Sequence, residues 1–145
     1  MNWLIKKFSE LTLDELYAIL KLRSEVFVVE QNCVFLDMDD KDQHSYHFMG
    51  WEGNQLFAYT RLVPPDLKGF PSIGRVVTSP AVRNRGMGRI LMQKSIEETI
   101  HLFGNQPIHI GAQLYLRDFY SSLGFEQSSD VYLEDGIEHI EMIRQ

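Results

Sequence analysis

One six-residue segment combines glycine and arginine in a pattern suited to binding an anion, and it reads Arg83-Asn84-Arg85-Gly86-Met87-Gly88. We call it the glycine loop. Its two glycines let the backbone approach an anion, because neither carries a Cβ atom. Its two arginines and the following Arg89 supply positive charge. A helix that begins here would add unpaired backbone N–H groups, so the loop predicts a phosphate-binding site.

Two common nucleotide-binding loops do not match the glycine loop. It lacks the Gly-Lys-Ser/Thr ending of a nucleoside triphosphate loop, and it lacks the Gly-x-Gly-x-x-Gly spacing of a dinucleotide-binding fold. A plain turn between a strand and a helix is the structural alternative. The elements on either side of the loop are therefore needed to interpret it.

The N-terminal part of the chain predicts a strand, a helix and a long loop. A short strand is expected over residues 3–8, and Thr12-Leu13-Asp14-Glu15 has the Thr-x-x-Glu form of a helix-capping box. The helix that follows is expected to end near Val29. Residues 31–46 are rich in Asp and have little periodicity, which predicts a loop longer than most connections.

The middle of the chain predicts a hairpin, a further strand and a helix. Strands are expected over residues 47–52 and 55–62, and Gly53-Asn54 suits a two-residue turn between them. Another strand is expected over residues 73–78. Apolar residues then follow helical spacing from Ile90 to about Phe103. The glycine loop thus lies between a strand and a helix.

The C-terminal part predicts two short strands, one helix and a final strand. A strand is expected over residues 108–112, followed by a helix over residues 114–123 that a glycine ends. A strand near Phe125, a turn at Asp135-Gly136 and a strand over residues 137–143 complete the chain. Strands and helices therefore alternate throughout.

Size and composition indicate an ordinary globular domain. The chain has 145 residues, of which 44% are hydrophobic and 23% are charged. Together with the alternating elements, this predicts a single α/β domain over residues 1–145, with a mixed central sheet flanked by helices.

Charge and cysteine content exclude several classes of partner. The formal charge of −6 argues against general affinity for nucleic acid or anionic lipid. The apolar stretches are far shorter than the roughly 20 residues of a membrane helix, and the N-terminus lacks the order of a secretory signal. Cys33 is the only cysteine, so an internal disulfide and a cysteine-rich zinc site are both excluded. We expect a cytoplasmic protein with no nucleic-acid or membrane partner.

Three motifs, in order along the chain, resemble those of the GNAT acyltransferases. The glycine loop matches the family's R/Q-x-x-G-x-G/A element, in which a strand, a pyrophosphate loop and a helix hold coenzyme A. Residues 74–80 resemble the family's cofactor strand, and residues 119–125 resemble its Y-x-x-x-G-F element. Residues 22–31 and the Asp-rich segment that follows resemble the small bacterial ElaA-like branch. The resemblance implies a GNAT fold and an acyl-CoA donor.

The resemblance also implies roles for individual residues. Backbone groups of Val76-Val77-Thr78 would pair with the pantetheine arm, and the Val77 N–H would stabilise the oxyanion. Tyr120 would lie near the sulfur as a proton donor. Gln113 stands where many relatives have Asn, which is a departure from the family pattern. The implied cofactor-binding residues are Val76, Val77, Thr78, Arg83, Asn84, Arg85, Gly86, Met87, Gly88, Arg89 and Gln113.

Acyl transfer to an amine needs a proton acceptor, because a lysine-like amine, with a pKa of about 10.4, is protonated near neutral pH. Glu30 is the predicted catalytic base, and it is spaced to share one helix side with Arg23 and Phe27. An ion pair with Arg23 or another basic residue is the structural alternative. Three histidines are further candidates because histidine titrates near neutral pH, and they are His47 first, then His44 and His109.

Four acidic residues between Gln31 and Tyr46 allow two interpretations, and they are Asp37, Asp39, Asp40 and Asp42. They could draw a cationic amine toward the site, or they could form a solvated loop. A metal is not expected, because the segment lacks the Gly and terminal Glu of a calcium loop. Tyr115 lies five residues before Tyr120, so we expect it to pack elsewhere. Cys33 is expected to be buried or incidental.

The leading functional hypothesis is an acyl-CoA-dependent N-acyltransferase that moves an acetyl group from acetyl-CoA to a primary amine by direct attack. The acceptor would be a small molecule or a peptide amine, and a homodimer is compatible with so small a domain. A catalytically silent CoA-binding regulatory or interaction module is the alternative. A third hypothesis is an acyl-homoserine-lactone synthase, since those enzymes share the general fold and a similar Arg-x-x-Val-Phe start.

Overall fold

The computed structural model of the chain describes residues 1–66 and 69–145. Within that part there are eight strands and three α-helices. The strands are β1 (Asn2–Lys7), β2 (Tyr46–Glu52), β3 (Gln55–Val63), β4 (Ser72–Thr78), β5 (Ile108–Gln113), β6 (Phe125–Gln127), β7 (Tyr132–Glu134) and β8 (Ile137–Arg144). The α-helices are α1 (Leu13–Arg23), α2 (Met87–Phe103) and α3 (Arg117–Ser121).

All eight strands belong to one mixed sheet, in the order β1-β2-β3-β4-β5-β8-β6, with β7 paired to β8. β4 and β5 run parallel and are connected through α2, while the other paired strands are antiparallel. The predicted hairpin is confirmed, since β2 and β3 are joined through Gly53, whose φ of 58° favours glycine. The predicted mixed central sheet with flanking helices is confirmed as well.

Helices cover both faces of the sheet, because strand side chains alternate between the faces. Phe48 and Ala58 face α2 and join its buried residues Leu91 and Met92 in one apolar core. Their neighbours on the opposite face join Ile19 and Leu22 of α1, and these are Met49 on β2 and Tyr59 on β3. The central strands are therefore buried on both sides.

A β-bulge in β4 reverses this alternation part-way along the strand. Ile73 lies in the α2 core, whereas Val77, four residues later, lies in the α1 core. The reversal occurs because Arg75 and Val76 together oppose the single residue Thr60 on β3. Arg75 has a φ of 49°, a conformation that costs a non-glycine residue free energy unless its surroundings hold it.

β4 and β5 separate soon after they meet. Among the described residues the two strands share a single paired position, Ser72 with His109. From Ile73 onward, the edge of β4 that faces β5 has no strand partner. Unpaired backbone groups in the middle of a sheet need another partner, such as water or a ligand.

The first helix follows the sequence prediction at its start and differs from it at its end. The capping box is present, with the Glu15 N–H donating to Thr12 Oγ1 at 3.1 Å and the Thr12 N–H donating to the Glu15 carboxylate at 2.8 Å. After Arg23 the helix widens into a π-helical segment, Ser24–Glu30. Three valines in this segment lose side-chain freedom in a regular α-helix, which favours the departure.

Two elements near the C-terminus also differ from the prediction. The helix expected over residues 114–123 begins as a 3-10 turn, Leu114–Leu116, and is α-helical only in α3. β7 was not expected, because its three residues carry no alternating pattern and only Tyr132 is partly buried. The predicted Asp135-Gly136 turn is confirmed, with φ values of 52° and 78°, and it joins β7 to β8.

Candidate functional site

The separation of β4 from β5 opens a cleft of about 820 Å³. This volume is in the range of pockets that hold a cofactor or a drug-sized ligand. Its walls come from the π-helical segment, the loop that follows it, β4, β5, α3 and the β7–β8 turn. Eight of the predicted site residues line it, and they are Glu30, Val76, Val77, Thr78, Arg83, Gly88, Gln113 and Tyr120.

The glycine loop leads directly into α2, as predicted. Gly86 caps the helix with a φ of 68°, and Asn84 has a φ of 69°, so both adopt the left-handed conformation. Asparagine tolerates that conformation better than most residues. A Cβ atom at Gly88 would lie 3.9 Å from the Phe119 ring, so the backbone there is open to an approaching group. The first N–H groups of α2 have no partner within the helix and can bind an anion.

Five residues of the predicted cofactor set lie outside the lining of the cleft, and they are Asn84, Arg85, Gly86, Met87 and Arg89. The Arg89 guanidinium donates to Ser122 Oγ at 2.8 Å and lies 5.6 Å from the centre of the Phe119 ring. Met87 packs against the α2 core. Arg89 therefore connects α2 to α3 in this conformation, and Met87 is held in the core.

Tyr120 lies in the cleft with only 6% of its surface exposed. Burial raises its pKa to about 12, with a smaller contribution from Tyr115. The hydroxyl is therefore protonated at neutral pH and can donate a hydrogen bond or a proton. Val77 is buried and pairs with Tyr59 of β3. Because the Ser79 N–H donates to the Phe57 carbonyl oxygen at 2.8 Å, the alternating ladder directs the Val77 N–H toward Tyr59, which corrects its predicted role as the oxyanion donor. A protonated hydroxyl and an open strand edge thus face one space.

Comparison with known proteins decides the family. Residues 17–145 match the model of the acetyltransferase (GNAT) domain. The chain belongs to the GNAT family. It is 43% identical to Protein ElaA of Escherichia coli strain K12 over 148 residues, which covers 100% of this chain and 97% of ElaA. It is also 43% identical to an acyl-CoA N-acyltransferase from Pseudomonas aeruginosa, whose crystal structure matches with a TM-score of 0.96 over 99% of each chain. The resemblance to the ElaA-like branch of GNAT proteins is confirmed.

The likeness to acyl-homoserine-lactone synthases is a likeness of fold. BjaI, a CoA-dependent acyl-homoserine lactone synthase, matches with a TM-score of 0.77 over 96% of this chain and 80% of BjaI, at 15% identity. Identity this low shows a shared GNAT-type fold alone. The third functional hypothesis thus gains support for its architecture and none for its reaction.

Glu30, the predicted base of this GNAT protein, is engaged by a residue of the glycine loop. Its Oε1 lies 2.6 Å from Arg83 Nη1, and each side chain is 39% exposed. The structural alternative of an ion pair is thus observed, with Arg83 rather than Arg23 as the partner. The predicted base and the predicted phosphate-binding arginine are therefore paired with each other.

The acidic loop, residues 31–45, is fixed by buried arginines. Arg23 is fully buried, with its Nε 2.7 Å from Asp37 Oδ2 and its Nη1 2.8 Å from Asp42 Oδ1. Arg61 donates to both carboxylate oxygens of Asp39 at 2.8 Å and to Asp42 Oδ1 at 3.0 Å. Neither earlier interpretation holds for these three aspartates, because arginines neutralise them and Asp37 and Asp42 are buried rather than solvated. Asp39 and Asp40 are both exposed, and Asp39 is the one of the two that Arg61 holds.

Electrostatics agree with this arrangement. Burial raises the pKa of Asp42, but its hydrogen bonds and charge interactions with Arg23 and Arg61 outweigh that effect and leave the pKa below its usual value. Asp39 behaves in the same way, with Arg61 lowering its pKa most strongly among its partners. Both carboxylates are therefore charged at neutral pH and are committed to arginine.

The three histidines considered as bases lie outside the lining of the cleft. His47 is fully buried, with Nδ1 2.7 Å from the Tyr59 hydroxyl and Nε2 2.9 Å from the Asp42 carbonyl oxygen. Burial lowers its pKa, so it is neutral near pH 7. His109 stacks on Phe70 with 5.0 Å between ring centres, and His44 is exposed. His47 and His109 are thus held by structural contacts, and His44 faces solvent.

The sequence analysis did not identify His139, which lines the cleft and is 8% exposed. Its Nδ1 lies 2.7 Å from the Ile137 carbonyl oxygen, and its Nε2 lies 3.4 Å from Glu134 Oε2. It is paired with Gln113 across the β5–β8 ladder. The sequence carries no signal for His139, because its pairing with Gln113 depends on the register of β8 against β5.

Three further residues at the cleft complete the description. Gln113 Nε2 donates to Gln31 Oε1 at 3.4 Å, so it contacts the end of the π-helical segment. Tyr115 is 76% exposed at the rim of the cleft, which corrects the expectation that it packs elsewhere. Cys33 is buried, and its thiol donates to the Asp135 carbonyl oxygen at 3.3 Å.

Within residues 1–66 and 69–145, no cluster of three or more His, Cys, Asp or Glu side chains could hold a metal ion. None of the helices described there is long and apolar enough to cross a membrane.

Proposed function

We propose that this GNAT protein transfers an acetyl group from acetyl-CoA to a primary amine by direct attack. The observation that carries the proposal is the cleft itself. It joins the open edge of β4, the start of α2 and the buried Tyr120 hydroxyl in one space. These are the groups that an acyl-CoA donor needs for its amide arm, its phosphates and its leaving thiolate.

The donor would bind along two backbone surfaces. Its pantetheine arm would pair with Val76-Val77-Thr78, where β4 has lost its β5 partner. Its diphosphate would lie at the first amides of α2, assisted by Arg83 and Arg85. Arg83 would leave Glu30 to do so, which costs little because a half-exposed ion pair stabilises by only about 0–1 kcal/mol.

Two groups would stabilise the transfer. A backbone N–H on the open edge of β4 would donate to the oxygen of the thioester carbonyl as negative charge develops there. The N–H of Thr78 has the right direction for this role, because the Val77 N–H is directed at Tyr59 on β3. Tyr120 would donate its proton to the departing thiolate, which its raised pKa of about 12 allows at neutral pH. Neither role requires a metal.

The test measures donor binding and turnover separately. Calorimetry with acetyl-CoA, and thiol release across a panel of primary amines and of acyl chain lengths, should show micromolar binding and amine-dependent turnover. Tyr120→Phe should reduce turnover about 100-fold, the low end for a general acid, with little change in acetyl-CoA affinity. Absence of CoA binding at millimolar concentration would refute the proposal.

A catalytically silent CoA-binding module is the second candidate. Two observations favour it, namely the Gln113 contact with Gln31 and the ion pair that occupies Glu30. Tight CoA binding without thiol release from any donor, across the whole amine panel, would support this candidate. Turnover with any amine would exclude it.

The remaining assignments follow from the same proposal. The acceptor would be a small-molecule or peptide amine, since the cleft is open to solvent beside the acidic loop. We place the protein in the cytoplasm, because its one cysteine and an acyl-CoA donor both suit a reducing compartment. We retain the homodimer as a hypothesis that sedimentation would test.

A further inference from the structure

We propose that the β7–β8 hairpin forms the acceptor-amine site, in which Glu134 binds the substrate ammonium and His139 Nε2 takes its proton. This inference rests on the proposed function and names a base that the sequence did not indicate. It assigns His139 as a catalytic residue and Glu134 as a binding residue. The ligand class is a primary alkylammonium ion.

The hydrogen bonds of His139 fix which ring nitrogen is basic. Nδ1 lies 2.7 Å from the Ile137 carbonyl oxygen, and a carbonyl oxygen can only accept. Nδ1 therefore carries the hydrogen, and the lone pair of the neutral ring is on Nε2. This is the nitrogen that points toward Glu134.

The strands around His139 hold its ring in one orientation. The residue pairs with Gln113 on β5 and with Tyr132 on β7, and the Tyr132 ring stacks on it with 5.9 Å between centres. The next residue, Ile140, faces the α2 core, so His139 faces away from the core toward the cleft. A fixed, mostly buried imidazole at a substrate cleft has the properties of a general base.

The separation of Glu134 from the ring leaves a position for an ammonium group. Oε2 and Nε2 are 3.4 Å apart, which is longer than a good hydrogen bond between these atoms. The Glu134 side chain is 60% exposed, so it can move to receive a cation that enters from solvent. An ammonium has three donors and can contact the carboxylate and the imidazole together.

The other carboxylates at the cleft are less suited to this role. Glu30 is paired with Arg83, and Asp39 accepts two hydrogen bonds from Arg61. Among the described residues that line the cleft, this leaves Glu134 and the exposed turn residue Asp135. Asp135 contributes its backbone oxygen to Cys33, which holds the turn against the acidic loop.

The titratable and charged groups around His139 come from three elements. Tyr132 and Glu134 lie on β7, Asp135 lies in the turn, and Glu141 on β8 accepts the Tyr132 hydroxyl at 2.7 Å. The facing residue on β5 is the uncharged Gln113. The surroundings are therefore acidic, which favours a cationic substrate at this end of the cleft.

The proposed step balances in atoms and charge. One N–H bond of the ammonium breaks and its proton moves to His139 Nε2. The freed lone pair forms a C–N bond with the thioester carbonyl carbon, and the C–S bond then breaks. The thiolate takes the Tyr120 proton, the surplus proton of the new amide passes to solvent, and solvent restores both side chains. The products are an amide, a CoA thiol and one proton.

The experiment compares four variants of the full chain with the best amine from the panel. His139→Gln should lower kcat/KM at least 100-fold while the acetyl-CoA dissociation constant stays within about threefold. Its remaining activity should rise with pH along the titration of the free amine. Glu134→Gln, at an exposed position, should raise KM for the amine about tenfold. The exposed His101→Gln is the matched control, and Glu30→Gln tests the competing base.

Different outcomes distinguish failure of this inference from failure of the proposed function. Suppose that wild type turns over, that kcat/KM of His139→Gln stays within threefold of the wild-type value, and that Glu30→Gln loses activity. The base would then be Glu30. If wild type binds acetyl-CoA but releases no thiol with any amine, the proposed function fails. In that case the amine site is tested by NMR of the His139 ring during addition of n-butylamine. Ring signals that do not shift would refute the amine site.

Discussion

The arginines of this chain form two groups that differ in burial although both are paired with carboxylates. Arg23, Arg61 and Arg75 connect to the acidic loop, and the first two are almost completely buried. Arg83 and Arg85 in the glycine loop are 39% and 58% exposed, with single carboxylate partners. The comparison teaches that burial, rather than the presence of an ion pair, separates arginines that fix the fold from arginines that are available to a ligand.

The energetics of the two groups follow from the same difference. Removing one partner of a buried ion pair costs about 3–5 kcal/mol, because the other charge is left without compensation. An exposed pair contributes about 0–1 kcal/mol and is screened by salt. The wall of the cleft that the acidic loop forms is therefore rigid, whereas the arginines of the glycine loop can exchange their carboxylate partners for a ligand.

Arg75 connects the buried group to β4. Its Nε lies 2.8 Å from Asp37 Oδ1, and its Nη2 donates to the Asp37 carbonyl oxygen at 2.7 Å. These contacts hold the bulge residue whose φ of 49° would otherwise be costly. The acidic loop thus maintains the bulge that places Val77 on the α1 face of β4 rather than on the α2 face occupied by Ile73.

The largest effect is expected from Asp42→Asn. This change leaves Arg23 and Arg61 without a full countercharge, so the free energy of unfolding should fall by about 3–5 kcal/mol in urea denaturation. Asp40→Asn is the matched control, because Asp40 is exposed and asparagine tolerates its φ of 64°. Equal stability of the two variants would contradict the assignment of Asp42 to a buried network.

Acid should destabilise the buried group selectively. The pKa values of Asp39 and Asp42 are lowered in the folded protein, so the unfolded chain binds protons more readily than the folded one. Their contribution is fully present above the unfolded pKa of about 3.9 and is lost as pH falls through the lower folded values. Urea midpoints between pH 6 and pH 2 should show this loss in wild type, and Asp42→Asn should show less of it.

Replacing Arg83 and Arg85 by Ala should separate ligand binding from stability. Acetyl-CoA affinity should fall at least about tenfold, since two charge-assisted contacts to phosphate are removed. The urea midpoint should stay close to that of wild type. The affinity of wild type should also weaken with salt while its stability changes little. An unaltered affinity in the double variant would mean that the α2 amides bind the phosphates alone.

The smallest effect is expected from Glu30→Gln. Removing this carboxylate frees Arg83 from a partner at 2.6 Å, so acetyl-CoA should bind about two- to fivefold more tightly, the equivalent of an exposed ion pair. Calorimetry would measure the change, and Glu52→Gln, beside Arg85 at 3.9 Å, is the weaker matched control. Weaker binding in Glu30→Gln would show that the ion pair supports the ligand-bound loop.

Local features of the fold were predictable from the sequence, whereas long-range pairings were not. The capping box at Thr12 and the hairpin turn at Gly53 depend on a few neighbouring residues, and both were predicted. The partners of Arg23 are 14 and 19 residues away, and no spacing in the sequence indicates that they meet. The role of Asp42 was therefore misinterpreted.

The candidate site shows the same division. The motif residues Val77 and Tyr120 were assigned by resemblance, and the structure brings both to one cleft. His139 was missed, because its position depends on the register of β8 against β5 and β7, which the sequence does not specify. The bulge at Arg75 could not be foreseen either, since β-strand patterns assume an unbroken alternation.

The early divergence of β4 from β5 makes the stability of the protein depend on ligand supply. A molecule that pairs with the free edge of β4 binds the folded chain and not the unfolded one, so it shifts the folding equilibrium by mass action. At a concentration 100 times its dissociation constant, the gain is about 2.7 kcal/mol. Cellular levels of the donor would then set how long each copy escapes aggregation and proteolysis, and starvation for the donor would shorten the lifetime of the protein.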